Sequence, residues 1–394
     1  MGYYCISLKN GGVERVMSLL IHYLSEDKRF SHFLITKKDK EEGEYSIPSN
    51  TKRISLNQTK ISLTEVLKLN HIDILIYNFY DKSEIKLLNK LNSTKIIYYN
   101  HASIFLRIYM NVYYFKDTVY YEYQKCKYII SIIPLENDYL FKKWGINSII
   151  MDNPSTFEYD SVIPSDLSQK NIIMIGRAND YIKRFDLGIK AMVKITREIP
   201  KCEMNIISYS EKSLENLIKN LKLENNVKFI GYKKNIEIYL KNSCLHILTS
   251  LSESYCMVLS ETKIFGIPSI IVGLDYLALA RGGTVIIYDD NPNTIAEEAI
   301  KILRDDDYRR QLGKDARKSM RIHQNKIIAK KWIKLLLTVY NGKIESYIRL
   351  SERQTILREK DALKILNNQL ILLKKRIPNL TNLTIEKLIN YSFI

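Results

Sequence analysis

The sequence contains little cysteine, and none of it is arranged in pairs. Its 394 residues include five cysteines, an odd number, and no two of them form a Cys-x-x-Cys pair. They are Cys5, Cys126, Cys202, Cys244 and Cys256. A disulfide framework or a cysteine-based zinc site is therefore not expected. Free thiols fit a reducing compartment, so we expect a cytoplasmic protein.

Long apolar segments are also missing. No run of about 18 apolar residues occurs, so no transmembrane helix is predicted. The apolar stretch 1–8 is short and leads into a glycine turn, which does not resemble a secretory signal. Glycine (14 residues) and proline (8 residues) are scarce, while contents of 46% hydrophobic and 26% charged residues are ordinary for a globular protein. Fibrous and disordered classes are therefore excluded.

Acidic residues are fewer than basic ones. The chain has 43 Asp and Glu against 60 Lys and Arg, which gives a formal net charge of +17. Such an excess favours polyanionic partners, namely nucleic acid, an anionic membrane surface or phosphorylated small molecules. Because the basic residues are spread along the whole chain, a solvated surface without a specific role is an equal alternative. No helix-turn-helix, zinc-finger or RNA-binding signature occurs, so nucleic acid is not an expected partner.

Short apolar segments alternate with longer amphipathic ones along most of the chain. In the first half the predicted strands are residues 3–8, 32–36, 72–77, 95–99 and 128–133, with helices such as 13–24 and 63–69 between them. In the second half they are residues 171–175, 203–208, 227–230, 244–248, 268–272 and 284–287, with helices such as 184–195 and 294–303. This alternation is typical of parallel sheets that helices cover on both faces.

A polar, proline-containing stretch at residues 152–168 separates the two halves and reads as a linker. We predict an α/β protein with two Rossmann-like, doubly wound domains that face each other across a cleft, and a helical C-terminal extension. The predicted segments are an N-terminal domain at 1–155, a second domain at 156–325, and helices at 326–394. The first of these helices is expected to cross back to the N-terminal domain.

The tail 344–394 carries a leucine stripe at helical spacing, formed by Leu363, Leu366, Leu370 and Leu373. Packing against the body of the protein is one interpretation. Contact with a membrane surface or with another copy of the chain is the other.

Two features of the first half lie where predicted strands end. Gly11 and Gly12 follow a strand and open a helix, so the main chain can approach an anion or a sugar hydroxyl closely there. His101 follows the strand at 95–99, where it could donate to a substrate oxygen or carry charge near neutral pH. A tight turn and a structural histidine are the ordinary alternatives.

Cationic residues follow the first predicted strand of the second half. Arg177 comes directly after Gly176, and Lys183 follows six positions later. An arginine fork and a lysine point charge around one diphosphate could neutralise a leaving group without a metal. Two solvated basic residues are the alternative.

A paired-carboxylate segment follows the predicted strand at 244–248. Glu253 and Glu261 stand eight positions apart, and residues 252–255 suit the start of a helix that holds Glu261. The amides around Tyr255, Cys256 and Met257 would then lie at a helix N-terminus, which favours negative charge. Gly266 is suited to end that helix, and Pro268 to open the next strand.

Together these segments resemble the family 4 glycosyltransferases, retaining enzymes of the GT-B fold. The resemblance covers about residues 2–340. It is carried by the GG-x-ER segment at Gly11, by the G-R…K element at Gly176, and by the E-x7-E motif with its G-x-P continuation at Gly266. The sequence departs from the family at Glu253-Ser254-Tyr255-Cys256, where members commonly have Glu-Gly-Phe-Gly.

The resemblance implies that 1–155 is the acceptor-side domain and 156–325 the nucleotide-sugar-binding domain, and it implies a role for each matched residue. The catalytic residues would be His101, Arg177, Lys183 and Glu253. The donor would be bound by Gly11, Gly12, Arg177, Lys183, Glu253, Tyr255, Cys256, Met257 and Glu261, with Glu261 on the ribose. No metal and no cofactor are expected, since the nucleotide sugar is a co-substrate.

The predicted function is transfer of a sugar, with retention, from a nucleoside diphosphate sugar (UDP preferred) to a glycan or lipid-linked acceptor in cell-surface polysaccharide synthesis. The segment 105–128, rich in tyrosine and basic residues, fits an anionic membrane surface and a peripheral location at the inner face of the membrane. A buried helix is the alternative for that segment. The alternatives for the function are glycosylation of a protein, or a non-catalytic nucleic-acid-binding or scaffold protein on the same fold.

Overall fold

The computed structural model describes residues 1–9, 11–78, 82–103, 123 and 126–343. The leucine stripe predicted for the tail, and nearly all of the aromatic and basic segment 105–128, lie outside these residues. The chain divides into two compact units. Their described parts are residues 1–156 and 323–343 for the first unit and 157–322 for the second.

The first unit contains a parallel sheet of seven strands in the order β3-β2-β1-β4-β5-β6-β7. Its central strands β1 and β4 are buried along their whole length because helices cover both faces of the sheet. The strands are β1 (Gly2–Cys5), β2 (His32–Thr36), β3 (Thr51–Ser55), β4 (Ile74–Tyr77), β5 (Lys95–Tyr99), β6 (Tyr128–Ser131) and β7 (Ile149–Ile150).

The helices of the first unit lie between these strands, apart from a final one that returns from the end of the described chain. They are α1 (Gly12–Leu24), α2 (Leu56–Thr59), α3 (Leu63–Leu69), α4 (Lys82–Leu88), α5 (Pro134–Trp144) and α12 (Asn325–Tyr340). Helix α12 packs against α1. Its fully buried Trp332 contacts the ring of Tyr99 edge-on, with 5.0 Å between ring centroids. This aromatic contact attaches the returning helix to the sheet of the first unit.

The second unit contains a parallel sheet of six strands in the order β10-β9-β8-β11-β12-β13. The strands are β8 (Asn171–Ile175), β9 (Glu203–Ile207), β10 (Val227–Phe229), β11 (Leu245–Leu248), β12 (Ser269–Val272) and β13 (Thr284–Ile287). The helices are α6 (Phe185–Glu198), α7 (Lys212–Asn220), α8 (Glu237–Lys241), α9 (Met257–Ile264), α10 (Pro292–Arg304) and α11 (Asp306–Ser319). Helices α6 and α10 pack against each other, each burying an apolar stripe.

The prediction of two Rossmann-like, doubly wound parallel sheets is confirmed. Two strands were not predicted, β3 and β7. Strand β3 is a polar edge strand, and β7 has only two residues, so neither gives an apolar run. The first strand is also shorter than predicted and ends at Cys5. Within the described part of the chain, no helix is both long enough and apolar enough to span a membrane.

Candidate functional site

The segments that follow β8 and β11 meet at the carboxyl edge of the second sheet, because these strands are parallel neighbours. Leu251 donates its backbone amide to the carbonyl of Ile182 at 2.7 Å. The Thr249 hydroxyl donates to the carbonyl of Lys183, also at 2.7 Å. The structure therefore brings the predicted cationic and acidic segments into direct contact.

Lys183 and Glu253 form the ion pair at the centre of this contact. The Nζ of Lys183 lies 2.5 Å from Oε1 of Glu253, and the two side chains are only 20% and 13% exposed. Burial by itself lowers the pKa of the Lys183 ammonium, but attraction and a hydrogen bond from the Glu253 carboxylate outweigh it and raise the pKa. Lys183 is therefore a fixed positive charge at neutral pH.

Arg184 links the segment that follows β8 to the segment that follows β11, a role that the sequence did not predict. Its side chain is fully buried and ion-pairs with Asp290. Its Nε donates to the carbonyl of Thr249 at 2.5 Å. Arg184 also adopts a left-handed backbone conformation, with φ of 49°, which turns the chain from a short 3-10 helix at Tyr181–Lys183 into α6. In the sequence, nothing about the adjacent residues Lys183 and Arg184 indicates that the arginine is buried and the lysine faces the site.

Gly176 and Arg177 occupy the start of the same segment. A Cβ atom at Gly176 would lie 3.2 Å from Cζ of Phe185 and 3.5 Å from Cδ of Lys183, so a glycine here leaves room for the Lys183 side chain. Arg177 is 76% exposed and ion-pairs with Asp180 at 3.0 Å. Its guanidinium is thus accessible to an anionic ligand, whereas Lys183 is held in place by the protein.

The loop that carries Glu253 is supported by Tyr276, another residue that the sequence did not reveal. The Tyr276 hydroxyl donates to the carbonyl of Glu253 at 3.0 Å and accepts from its amide at 3.2 Å. Tyr276 itself is buried. Both bonds involve the backbone of Glu253, so they fix the position of its carboxylate without competing with Lys183.

Helix α9 begins at Met257, later than the predicted start at 252–255. The cause is Cys256, which has a φ of 61° and precedes the helix in a left-handed conformation. Tyr255 and Cys256 are buried, so their contribution to a ligand would come from the main chain. The first turn of α9 contains amides that the helix does not satisfy, which favours an anion there.

Glu261 lies one turn inside α9 and is 8% exposed. The helix ends as predicted, with Gly266 at a φ of 69° and its amide donating to Lys263 at 2.9 Å. The two glutamates of the motif therefore stand in different settings. Glu253 is in the loop beside a lysine, and Glu261 is on the buried side of the helix.

Lys263 is a buried residue of α9 that the sequence analysis did not single out. Its Nζ donates to the carbonyls of Leu279 at 2.5 Å and Arg281 at 2.6 Å. Burial lowers the pKa of its ammonium to about 7. These bonds hold the loop between β12 and β13, so its role is structural.

An exposed aromatic pair lies at the same edge of the sheet, farther from β11. Tyr209 follows β9 and Tyr232 follows β10, and their rings stack with centroids 5.8 Å apart and planes 15° apart. They are 70% and 41% exposed. Solvent-exposed stacked rings next to a cationic segment suit a planar aromatic ligand group. Only the parallel order of β8, β9 and β10 brings them to this edge.

In the first unit, Gly11 precedes α1 in an extended conformation and Gly12 is its first residue. A Cβ at Gly11 would collide with the side chain of Glu14, while a Cβ at Gly12 would meet no atom within 4 Å. The space at the Cβ position of Gly12 is therefore open, and close approach of a ligand to the main chain there stays a prediction.

His101 follows β5, as predicted, but its charge state differs from the expectation. Burial lowers the pKa of the His101 imidazole to about 3. The expectation that it carries charge near neutral pH is therefore wrong, because desolvation of the ring disfavours its charged form. Its Nε2 lies 2.7 Å from Oδ1 of Asn78, and its ring packs on Tyr99 with centroids 4.0 Å apart.

Among the residues that the structure describes, no group of three or more His, Cys, Asp or Glu could hold a metal ion. The cations of the site are Arg177 and Lys183. Both lie in the second unit, and His101, Gly11 and Gly12 lie in the first.

Comparison with known proteins gives a family match. Residues 156–319 match the model of the glycosyl transferases group 1 family. This segment includes Arg177, Lys183, Glu253 and Glu261, so every second-unit site residue lies inside the matched domain.

Three curated relatives are similar in sequence. An uncharacterized glycosyltransferase of Haemophilus influenzae is 28% identical over 36% of this chain, and N-acetyl-alpha-D-glucosaminyl L-malate synthase of Bacillus anthracis is 31% identical over 39%. The match spans 41% of the length of each. A Campylobacter jejuni alpha-1,4-N-acetyl-D-galactosaminyltransferase, whose named substrate is an undecaprenol-linked glycan, is 21% identical over 87% of this chain and 99% of the relative.

Solved structures share the fold. Sucrose-phosphate synthase from Thermosynechococcus elongatus superposes with a TM-score of 0.70 at 15% identity, over 86% of this chain and 99% of that one. HepE of Anabaena, solved with UDP and glucose, gives a TM-score of 0.67 at 15% identity, with the same two coverages. The chain thus has the GT-B fold, and its residues 156–319 are similar to the group 1 glycosyltransferases.

Proposed function

We propose that the chain is a retaining family 4 glycosyltransferase that uses a nucleoside diphosphate sugar. The observation that carries the proposal is the Lys183–Glu253 pair, at 2.5 Å, at the carboxyl edge of the sheet within the matched domain. A fixed cation beside a carboxylate suits a ligand that has both phosphates and sugar hydroxyls.

The donor diphosphate is assigned to Arg177 and Lys183 and to the first turn of α9. Arg177 is accessible and forms two parallel hydrogen bonds to phosphate oxygens, while Lys183 supplies a charge held in place. Glu261 binds the ribose, and Glu253 contacts the transferred sugar. The exposed Tyr209–Tyr232 pair stacks on the nucleobase.

In the proposed reaction the bond from the anomeric carbon to the diphosphate oxygen breaks, and a bond to the acceptor oxygen forms on the same face. The acceptor proton passes to the departing diphosphate. Arg177 and Lys183 stabilise the charge that develops on the leaving group, so the step uses no metal. The two carboxylates bind and orient, and they do not act as the acid and base of a glycosidase.

The nucleotide is proposed to be UDP, and the acceptor a glycan or a lipid-linked glycan of cell-surface polysaccharide synthesis. HepE was solved with UDP, and the Campylobacter jejuni relative is named for an undecaprenol-linked glycan. The net charge of +17 fits an enzyme that works in the cytoplasm and contacts an anionic membrane surface.

The test incubates the purified full-length protein with UDP-, GDP- and ADP-sugars and measures the nucleoside diphosphate that is released. We expect slow release from a UDP-sugar, faster release with a membrane lipid extract as acceptor, and loss of both in Glu261→Ala. Glu215→Ala is a matched control, because Glu215 is an exposed residue of α7 outside the site.

Release that is equal in the wild type and in Glu261→Ala would exclude the assigned donor site. Absence of both nucleotide-sugar binding and release, with and without lipid extract, would leave a scaffold protein on this fold as the better explanation. Calorimetric titration with UDP measures the binding directly.

A further inference from the structure

Helix α12 carries its charged residues on one exposed face. The helix contains four lysines and neither aspartate nor glutamate. Lys326, Lys330 and Lys334 are exposed and follow one another at intervals of four residues, so they lie on the same face as a lysine stripe. The opposite face of the helix, which includes Trp332, is buried against the first unit. The stripe therefore faces solvent.

The charge of the lysine stripe is not neutralised by the described part of the protein. None of its three ammonium groups forms an ion pair with another described residue. The fourth lysine of the helix, Lys331, does have a partner, since its Nζ lies 3.3 Å from Oδ2 of Asp152. Like charges four positions apart repel each other and weaken a helix. A negatively charged surface against the stripe would remove this repulsion.

The placement of the lysines along α12 also opposes the helix dipole. Helix α6 has the arrangement that the dipole favours, with Asp186 in its first turn and Arg197 in its last. Helix α12 has no acidic residue in its first turn, where Lys326 lies, and no basic residue in its last. Proteins break such local rules mainly at positions that serve a function. The charge pattern therefore indicates a partner for this face and not a gain in helix stability.

Apolar and aromatic side chains accompany the lysines. Ile327 is 37% exposed and lies directly beside Lys326 in the helix. At the other end of α12, Tyr340 is 55% exposed, and the ammonium of Lys95 lies 5.7 Å from the centroid of its ring. Lysines combined with exposed isoleucine and tyrosine are typical of helices that lie in a membrane interface. Nucleic acid phosphates would attract the lysines but would gain nothing from the isoleucine, so a lipid surface fits this face better.

We propose that the exposed face of α12 docks on an anionic lipid surface, with the lysine stripe against the lipid phosphates. The inference rests on the proposed function, because a lipid-linked acceptor would bring the enzyme to a membrane. The contact itself requires neither donor nor acceptor. The segment 344–394 has nine basic and five acidic residues, so its charge is not complementary to the stripe and the lipid remains the better partner.

Sedimentation of the full-length protein with lipid vesicles at low salt tests the proposal. The vesicles contain phosphatidylglycerol and phosphatidylcholine in equal parts, or phosphatidylcholine alone. We expect binding to the anionic vesicles and little to the neutral ones. Replacement of all three stripe lysines by glutamine keeps helix propensity, and it should weaken binding about 10²-fold, since each lysine near an anionic surface contributes about fivefold.

A matched control removes the same charge from the second unit. Lys212, Lys219 and Lys222 are exposed residues of α7 and the turn after it, and their replacement by glutamine leaves α12 unchanged. We expect this triple variant to bind vesicles like the wild type. Equal losses in the two triple variants would show that only net charge matters and would overturn the proposal. Failure of the wild type to bind anionic vesicles would overturn it as well.

A single substitution distinguishes lipid from nucleic acid. Ile327→Gln should weaken binding to anionic vesicles and leave binding to a DNA duplex unchanged. Duplex binding that is tighter than vesicle binding, together with no effect of Ile327→Gln on either, would replace the lipid by nucleic acid. If the triple variant at the stripe has a lowered Tm, Lys330→Glu provides the same comparison with one exposed change. Vesicle binding is measured without substrates, so its failure is distinguishable from failure of the transferase reaction.

Discussion

Removal of the Lys183 ammonium is expected to lower both the turnover and the thermal stability of the protein. The two effects can be measured separately. In Lys183→Ala, the proposed diphosphate loses a cation held by Glu253 at 2.5 Å. Loss of one preorganised group at a developing negative charge costs a factor of about 10² to 10³ in turnover, or about 2.7–4 kcal/mol. We expect that loss in kcat/KM for the donor.

The same substitution leaves the Glu253 carboxylate, only 13% exposed, without its cation. Breaking a buried ion pair from one side costs about 3–5 kcal/mol, and the partial exposure of this pair favours the lower end, about 3 kcal/mol. A second unit of this size loses about 2–4 °C in Tm for each kcal/mol, so a decrease of about 6–12 °C is expected.

A double variant separates the two effects. Lys183→Met with Glu253→Gln replaces the pair with neutral side chains of similar size, which is often neutral for stability. We expect its Tm to return close to that of the wild type, while the turnover stays low because the Lys183 cation and the Glu253 carboxylate are both absent. Lys190→Ala is the control, since its exposed pair with Asp186 contributes only about 0.3–0.5 kcal/mol.

The assays are differential scanning fluorimetry and initial rates of nucleoside diphosphate release. Turnover in Lys183→Ala within about threefold of the wild type would refute the role at the leaving group. A double variant that regains turnover together with its Tm would show that the single variant failed only because its fold was weakened.

Three further predictions follow from individual contacts. Cys256→Gly is expected to keep the fold and activity, whereas Cys256→Val, β-branched at a φ of 61°, lowers the Tm on thermal unfolding. Tyr209→Ala and Tyr232→Ala should each raise the donor KM about fivefold or more with little change in kcat, since stacking on a base contributes about 1–3 kcal/mol. An unchanged KM would contradict stacking of the nucleobase on this tyrosine pair. The pKa of Lys263 is about 7 when folded and higher when unfolded, so protons destabilise the fold between these values. The Tm of the wild type relative to Lys263→Met should therefore rise as the pH is raised from 7 to 10, and a flat difference is evidence against a buried titrating ammonium.

The parallel sheets were predictable because each central strand is a short and mostly apolar run between turns. Strand β8 has the sequence NIIMI and β11 has LHIL, and both are buried on two faces. Edge strands lose this signal, since one side of the ladder and part of each face are solvated. Strand β3, with Lys52 and Arg53 near its centre, is an example, because its pairing with β2 identifies it as a strand.

The candidate site was predictable where local spacing sets the chemistry, and not where distant segments support it. The spacing of Glu253 and Glu261 placed one in the loop and the other in the helix. Nothing near Tyr276 in the sequence shows that its hydroxyl bonds the backbone of Glu253, 23 positions away. Arg184 is likewise defined by Asp290, 106 positions away. Such partners depend on the order of the strands in the sheet, whereas the sequence predicts only that the sheet is parallel.

The left-handed Cys256 is one of the two positions where glycine is lost relative to the Glu-Gly-Phe-Gly pattern of the enzymes that the sequence resembles. A side chain in this region costs about 1–2 kcal/mol, and glycine avoids that cost. Here the thiol is 7% exposed, and burial of this small side chain offsets the strain. The backbone turn before α9 therefore does not require a glycine, and α9 still begins at Met257 with its first-turn amides at the carboxyl edge of the sheet. A cysteine instead of a glycine thus changes the free energy of the turn but not its backbone conformation. Cys256→Gly is for this reason expected to be tolerated.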